Sequence, residues 1–160
     1  MAQGEFALVR EHLEKAIHEE KLTFIADLDL YAMLADVAVQ QRDEAALRKY
    51  APLLEETATP LEHNLYLATA HRAWGVLHRL EGQFEQAEAR LEQAVALFRG
   101  LDTRWQLGRT HLELGQLATD RTQTAAAKQQ YTRALELFEE MGAVPDAGRA
   151  RKALLMLNGE

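Results

Sequence analysis

The sequence contains no cysteine and no serine among its 160 residues. Without cysteine the chain can form no disulfide, no zinc–thiolate site and no thiol nucleophile. Without serine it has no hydroxyl nucleophile of the serine-hydrolase type. It also lacks a glycine-rich phosphate loop and a His-Glu-x-x-His motif. We therefore predict that the protein is not an enzyme, and that it uses no metal and no cofactor.

Basic residues are scarce, with 18 Lys and Arg against 25 Asp and Glu, so the net charge is -7. Binding to nucleic acid needs clustered basic residues, and an anionic membrane surface also attracts them. No apolar run approaches the ~20 residues that span a bilayer, and the N-terminus does not have the pattern of a signal peptide. We predict a cytoplasmic protein that binds neither nucleic acid nor membrane.

Proline and glycine are few, three and nine residues, and the helix formers Leu, Ala, Glu and Gln dominate. The sequence therefore predicts an all-α chain. Thr59-Pro60-Leu61-Glu62 has the form of a capping box, and Asp43, Asp102 and a threonine at 122 or 124 are candidate N-caps. Glycines at 82, 100 and 142 predict helix ends. The predicted helices span roughly 4–20, 22–41, 43–57, 60–81, 83–99, 102–120, 124–141 and 145–157.

The most informative pattern is a set of ten identities that recur at one fixed offset of 40 in the numbering. The identical residues are mostly small or apolar, as the packing positions of a repeat are. A period of this length predicts stacked helical units rather than one globular core. The pairs are Leu61/Leu101, Leu67/Leu107, His71/His111, Gly75/Gly115, Leu77/Leu117, Gln83/Gln123, Ala87/Ala127, Ala94/Ala134, Leu97/Leu137 and Phe98/Phe138.

These repeats resemble the tetratricopeptide repeat. In one copy the matching residues are Trp74, Gly75, Gly82, Phe84, Ala87, Leu91 and Ala94. In the next copy they are Leu114, Gly115, Ala127, Tyr131 and Ala134. The resemblance implies an all-α, right-handed superhelical solenoid of antiparallel helix pairs, with about eight helices.

The resemblance divides the chain as one domain over 1–160. Its parts are a lone second helix at 4–20, a degenerate repeat at 22–57, full repeats at 60–99 and 102–141, and a terminal capping helix at 145–157. In the degenerate repeat, Leu47 and Leu54 stand where the pattern has alanine, and Ala51 stands where it has a large residue. This inversion departs from the packing pattern of the family.

The period of 40 is longer than the family's usual period of about 34. Long repeats of this kind resemble those of bacterial transcription activators of the maltose-regulator type and related signalling proteins. The first predicted helix has no preceding partner, so we expect Phe6, Leu8 and Leu13 to lack a cover on one side. Either this end forms a homodimer, or the chain is a fragment of a longer protein.

The histidines and carboxylates give no catalytic or metal site. His71 and His111 occupy the large packing position on the first helix of a repeat, so we interpret them as packing residues. The many adjacent carboxylates, such as Glu139-Glu140, diverge by about 100° around a helix and so do not face one cleft.

The resemblance places the first helix of each pair on the concave face of the solenoid. The candidate peptide-binding residues on that face are Arg72, Val76, Arg79, Trp105, Arg109, Leu112 and Gln116. The three arginines would together bind a peptide carboxylate, because a guanidinium matches a carboxylate in shape and charge. Trp105 lies one turn before Arg109 and is a residue type common at binding hot spots. The alternative is that Trp105 packs against the next repeat and the arginines are solvated.

We predict a non-catalytic protein-interaction scaffold that binds a peptide or protein segment in the concave groove. The alternative is a ligand-sensing or oligomerisation domain of a larger bacterial signalling or transcription regulator. The neighbouring sequence would discriminate the two, since an adjacent ATPase or helix-turn-helix domain favours the alternative.

Overall fold

The computed structural model of the chain describes residues 2–19 and 24–159, and the helix bounds predicted at 20 and 22 lie outside these ranges. The described residues form eight α-helices and one short 3-10 helix, with no strand among them. The α-helices are α1 Ala2–Glu19, α2 Phe24–Gln41, α3 Glu44–Ala58, α4 Asn64–Leu80, α5 Phe84–Gly100, α6 Arg104–Asp120, α7 Thr124–Glu140 and α8 Val144–Leu157. Each packs on the next in chain order, and α4 also contacts α2 and α6. The predicted all-α solenoid is confirmed.

The helices follow one another with a constant spacing. From α3 onward they begin at equal intervals, at Glu44, Asn64, Phe84, Arg104, Thr124 and Val144. Helix pairs therefore repeat with the period of 40 that the sequence identities show. A backbone in the left-handed region recurs at the same interval as the helix starts, at Arg42, Glu62, Gly82, Asp102, Thr122 and Gly142.

The turns share one hydrogen-bond pattern. The residue after each left-handed residue donates its N–H to the carbonyl five positions earlier, as from Gln83 to His78 at 2.8 Å and from Thr103 to Phe98 at 3.1 Å. This bond and a left-handed residue define the Schellman motif, which satisfies carbonyls at a helix end. Every pair of consecutive helices from α2 to α8 is therefore joined by the same kind of turn.

Two of the predicted N-caps are wrong because their residues end the preceding helix. Asp102 and Thr122 adopt φ angles of 53° and 58°, and they take the left-handed position that Gly82 and Gly142 hold elsewhere. The alternative cap, Thr124, is the first residue of α7, whose N-cap is Gln123. A left-handed backbone outside glycine is uncommon, so the sequence gives little signal for it. Asp43 is an N-cap as predicted, and its carboxylate accepts the Ala46 N–H at 3.0 Å.

The predicted capping box at Thr59 is also wrong. Residues Thr59–Leu61 form the short 3-10 helix, Glu62 has a φ of 49°, and α4 begins at Asn64 rather than at Pro60. The same left-handed turn therefore overrides the local capping pattern. Pro52, a potential helix breaker, lies inside an uninterrupted α3.

Glycine allows close approach between the two helices of each full repeat. A Cβ at Gly75 would lie 2.6 Å from Leu91 Cγ, and one at Gly115 would lie 2.4 Å from Tyr131 Cε1. Both distances are far below a normal contact, so the large residue of the second helix occupies the space that a side chain on the first would need. This contact explains why the pair of a small and a large residue recurs.

The degenerate repeat at 22–57 packs differently from the two full repeats. Ala35 and Ala51 stand at the positions that correspond to Gly75 and Leu91, and both are fully buried. Leu47 and Leu54 are also fully buried, in the same core cluster as the two alanines. In this repeat the large side chains of α3 are therefore Leu47 and Leu54, on either side of Ala51, and both belong to the buried core.

Candidate functional site: a concave cavity above an ion-pair ladder

The described residues enclose a cavity of about 800 Å³. Its wall combines α6, α7 and α8 with α1 and the turn between α2 and α3. Apolar side chains, among them Phe6, Leu112 and Tyr131, alternate in the wall with arginine, glutamine and carboxylate groups. We call this feature the concave cavity.

The predicted groove residues fall into two sets. Arg109, Leu112 and Gln116 line the concave cavity. Arg72 and Val76 are fully buried and Arg79 is 8% exposed, and none of these three is part of the cavity wall. Arg109 is itself 8% exposed, so the two sets differ in whether they line the cavity rather than in their overall exposure.

Arg72 is held by a carboxylate of its own chain. Its Nη2 lies 2.6 Å from Asp36 Oδ1, and its Nη1 donates to the backbone oxygen of Gln106 at 3.3 Å. The other oxygen of Asp36 accepts a hydrogen bond from Arg109 Nη1 at 2.7 Å. One carboxylate on α2 therefore binds arginines from both α4 and α6.

Glu113, on α6, is a second carboxylate that lies close to two arginines of other elements. Glu113 Oε2 accepts a hydrogen bond from Arg42 Nη1 at 2.7 Å and lies 4.0 Å from Arg79 Nη2. Arg79 Nη1 donates to Asp120 at 2.7 Å. We call the whole set the ion-pair ladder: Asp36, Arg42, Arg72, Arg79, Arg109, Glu113 and Asp120.

The ladder sets the ionisation of Asp36. Burial by itself would raise the pKa of this carboxyl, but the Arg72 and Arg109 guanidinium groups outweigh burial and hold its pKa below the ordinary value. Asp36 is therefore ionised at neutral pH, which Arg72 requires, because an unpaired charge at a fully buried position is costly.

This arrangement differs from both interpretations of the arginines given by the sequence. Arg72, Arg79 and Arg109 are neither solvated nor free to share one external carboxylate, because each has a carboxylate partner within the chain. The reason is geometric: Asp36 and Arg72 are on α2 and α4, two consecutive first helices that pack against each other.

Trp105 is 43% exposed and lies at the start of α6. Its indole Nε1 donates to Asp146 of α8 at 2.9 Å, and the Arg109 guanidinium lies 4.6 Å from its ring centroid. Trp105 thus contacts the next repeat through a polar bond while part of its ring stays accessible.

The histidines at the large packing position have protein partners. His111 is 4% exposed, and its Nδ1 lies 2.8 Å from Gln130 Oε1. Arg90 Nη1 donates to His71 Nδ1 at 2.9 Å. Burial lowers the pKa of both imidazoles, and Arg90 lowers that of His71 further. Within the described ranges, no cluster of three His, Cys, Asp or Glu side chains could hold a metal ion.

Five charged residues of the cavity wall were not predicted as site residues from the sequence: Arg10, Arg42, Asp43, Glu113 and Arg149. The repeat itself could have identified Arg149, because it stands one full period after Arg109. Arg10 of α1 pairs with Asp43, 33 residues later in the turn after α2, and no local sequence pattern predicts such a contact.

These features define an all-α helical-repeat solenoid with a polar concave side. Residues 65–140 match the family model described as "Tetratricopeptide repeat". This part of the chain consists of tetratricopeptide repeats, which confirms the resemblance seen in the sequence. No curated protein matches the chain.

A solved structure supports the same fold over a longer range. The crystal structure of BtubC (BKLC) from P. vanneervenii is similar to the chain, with a TM-score of 0.60. The similarity covers 99% of this chain and 77% of that one, at 18% sequence identity. At this identity the similarity concerns the fold. No helix in the described parts of the chain is long and apolar enough to cross a membrane.

Proposed function

We propose that the chain is a non-catalytic cytoplasmic scaffold that binds a peptide or protein segment in the concave cavity, as a single domain over 1–160. Tetratricopeptide repeats generally mediate protein–protein interaction. The observation behind the specific site is that Arg109, Leu112 and Gln116, predicted from the repeat pattern, all line one cavity of about 800 Å³.

The predicted site residues take two roles in this proposal. Arg109, Leu112 and Gln116 contact the bound segment, and Trp105 extends the surface beside them. Arg72, Val76 and Arg79 position those residues from inside the protein, since the ladder connects Arg72 to Arg109 through Asp36.

The test fills the cavity and leaves the fold in place. Wild-type protein is used to select binders from a displayed library of random dodecapeptides, and the best peptide is labelled for fluorescence anisotropy. Gln116→Trp places an indole in the cavity wall, whereas Gln86→Trp makes the same change at an exposed position of α5. We expect Gln116→Trp to weaken binding at least ~10-fold and Gln86→Trp to leave it unchanged. Equal binding by both variants would place the interaction elsewhere.

A ligand-sensing or oligomerisation domain of a larger regulator is the second candidate function. The volume of the concave cavity lies within the range of about 300–1,000 Å³ that small-molecule sites occupy. A thermal-shift screen against metabolites tests sensing: stabilisation that Gln116→Trp abolishes favours this candidate.

Self-association through α1 belongs to the same candidate. Of the residues expected to lack a cover, Leu8 is 58% exposed, whereas Phe6 and Leu13 are half-buried and Leu13 packs against the core cluster; Val9, next to Leu8, is 42% exposed. Sedimentation of wild type and Leu8→Glu at several concentrations tests it. A monomeric wild type at all concentrations would exclude the homodimer.

A further inference from the structure

The concave cavity has the opposite sign of charge to the chain as a whole. Four arginines and two carboxylates line it, an excess of two positive charges among the lining residues, while the chain carries a net charge of -7. The carboxylates that pair with Arg109 and Arg149, Asp36 and Asp146, lie outside the wall. Clefts lined by one sign of charge concentrate ligands of the other sign. The wall therefore favours an anionic group.

The two carboxylates of the wall are already occupied. Asp43 accepts the Ala46 N–H with one oxygen and pairs with Arg10 through the other. Glu113 binds Arg42 at 2.7 Å. A cationic ligand would have to displace an arginine to reach either carboxylate, and so it gains little.

Arg149 differs from the other arginines of the wall. Arg10, Arg42 and Arg109 each pair with a carboxylate of another element. The side chain of Arg149 is 63% exposed, and it pairs with Asp146 on the same helix at 3.3 Å. Asp146 also accepts the bond from the indole of Trp105.

The repeat explains why Arg149 lacks such a partner. Arg149 is the equivalent of Arg109 in the following repeat, one period later in the chain. The partner of Arg109 is Asp36, and the residue one period after Asp36 is Val76, which is buried and apolar. Arg149 thus stands where Arg109 stands one repeat earlier but has no counterpart of Asp36, and its carboxylate partner is Asp146 of its own helix.

We propose that Arg149 determines the specificity of the concave cavity by binding an Asp or Glu side chain of the bound segment. This inference rests on the proposed function, because it assumes that a peptide occupies the cavity. The ligand carboxylate takes the place that Asp36 fills for Arg109, and the guanidinium binds it through charge-assisted hydrogen bonds. The partner is accordingly an acidic segment.

The experiment compares selections from the same dodecapeptide library on wild type, Arg149→Gln and Arg133→Gln. Arg133 is exposed on α7 and lies outside the cavity wall, so it is the matched control for loss of one positive charge. The best wild-type peptide is then measured by anisotropy together with a version in which each Asp and Glu is replaced by its amide. Free succinate is tested separately by calorimetry.

We expect wild type and Arg133→Gln to select peptides enriched in Asp and Glu, and Arg149→Gln to lose that enrichment. The acidic peptide should bind Arg149→Gln about tenfold or more weakly, and the amide version should bind both proteins alike. Peptides without acidic enrichment, or enrichment that survives Arg149→Gln, would overturn the inference and leave the proposed scaffold standing. Failure to select any peptide would overturn both. Arg149-dependent binding of succinate without any peptide would overturn the peptide as occupant.

Discussion

Arg109 Nη1 and Asp36 Oδ2 are 2.7 Å apart, although 73 residues separate them in the chain. Asp36 belongs to the first helix of the first complete helix pair, and Arg109 belongs to the first helix of the third. The contact therefore passes over the intervening pair, whose Arg72 binds the same carboxylate. Arg42 and Glu113 make a second connection of this kind across 71 residues. Ion pairs thus connect the first helix pair directly to the third, whereas helix packing mainly connects neighbouring pairs.

Removal of the Asp36 carboxylate should destabilise the protein strongly. In Asp36→Asn the guanidinium of Arg72, which is 1% exposed, keeps its charge and loses its carboxylate. Breaking a buried pair from one side typically costs about 3–5 kcal/mol. Urea unfolding measures the loss. Glu85→Gln removes a carboxylate that is 83% exposed and should change the stability by less than about 0.5 kcal/mol. Similar stabilities for the two variants would show that Arg72 does not depend on Asp36.

Mild acid should weaken the fold through its buried imidazoles. Burial lowers the pKa of His111 below 6.5, so the unfolded chain binds a proton at a pH at which the folded chain does not. The contribution of His111 to stability is therefore complete above the unfolded pKa and is lost as the pH falls below it. We expect the free energy of unfolding to decrease between about pH 7 and pH 5.

The variant His111→Gln isolates this effect. Its stability at neutral pH can differ from wild type, so the quantity to compare is the slope of the unfolding free energy against pH. The slope should be shallower in the variant, since glutamine does not titrate. Parallel slopes for the two proteins would assign the acid sensitivity to other groups.

Alanine should be tolerated at Gly100 and not at Gly82. Both glycines lie near helix ends and have open space around the Cβ position. Gly82 has a φ of +75°, whereas Gly100 is the last helical residue of α5 and has no such angle. We expect Gly82→Ala to cost about 1 kcal/mol, because its Cβ disfavours the left-handed region. Gly100→Ala should be neutral or slightly stabilising. Thermal unfolding of the two variants measures the difference, and the opposite order would contradict the assignment of the turn.

Gly115→Ala should destabilise by overpacking. The new Cβ would lie 2.4 Å from Tyr131 Cε1, so the ring or the helix must move, at a cost of about 1–3 kcal/mol. Tyr131→Ala alone leaves a void and costs about 3–5 kcal/mol. The double variant recreates the alanine pair seen at Ala35 and Ala51, and it should cost less than the sum of the single changes. Additive costs in a double-mutant cycle would show that the two sites do not contact.

The helical repeat could be predicted because its packing contacts recur at a fixed offset. The small residue at Gly75 or Gly115 and the large residue opposite it are both visible in one sequence, since each copy repeats the same pair. The turns were predicted less well. Arg42, Glu62, Asp102 and Thr122 take the left-handed position without being glycine, and propensity alone assigns them other roles.

The candidate site was predicted only in part, for a physical reason. The repeat pattern indicates which positions face the inner side, and Arg109, Leu112 and Gln116 do line the concave cavity. The pattern does not indicate which of these positions carry charges that neutralise one another. The partners Asp36 and Arg72 lie 36 residues apart, a spacing set by the relative shift of consecutive helix pairs rather than by the period of the repeat.

The double role of Asp36 has a consequence for how the chain unfolds. In a solenoid whose units touch only their neighbours, terminal units can detach one at a time, and melting becomes gradual. Here the first helix pair cannot detach without exposing arginines of both the second and the third pairs. The ion-pair ladder therefore raises the cooperativity of unfolding, because loss of the first helix pair also destabilises the second and third pairs. We expect slow hydrogen exchange to extend evenly from α2 to α6.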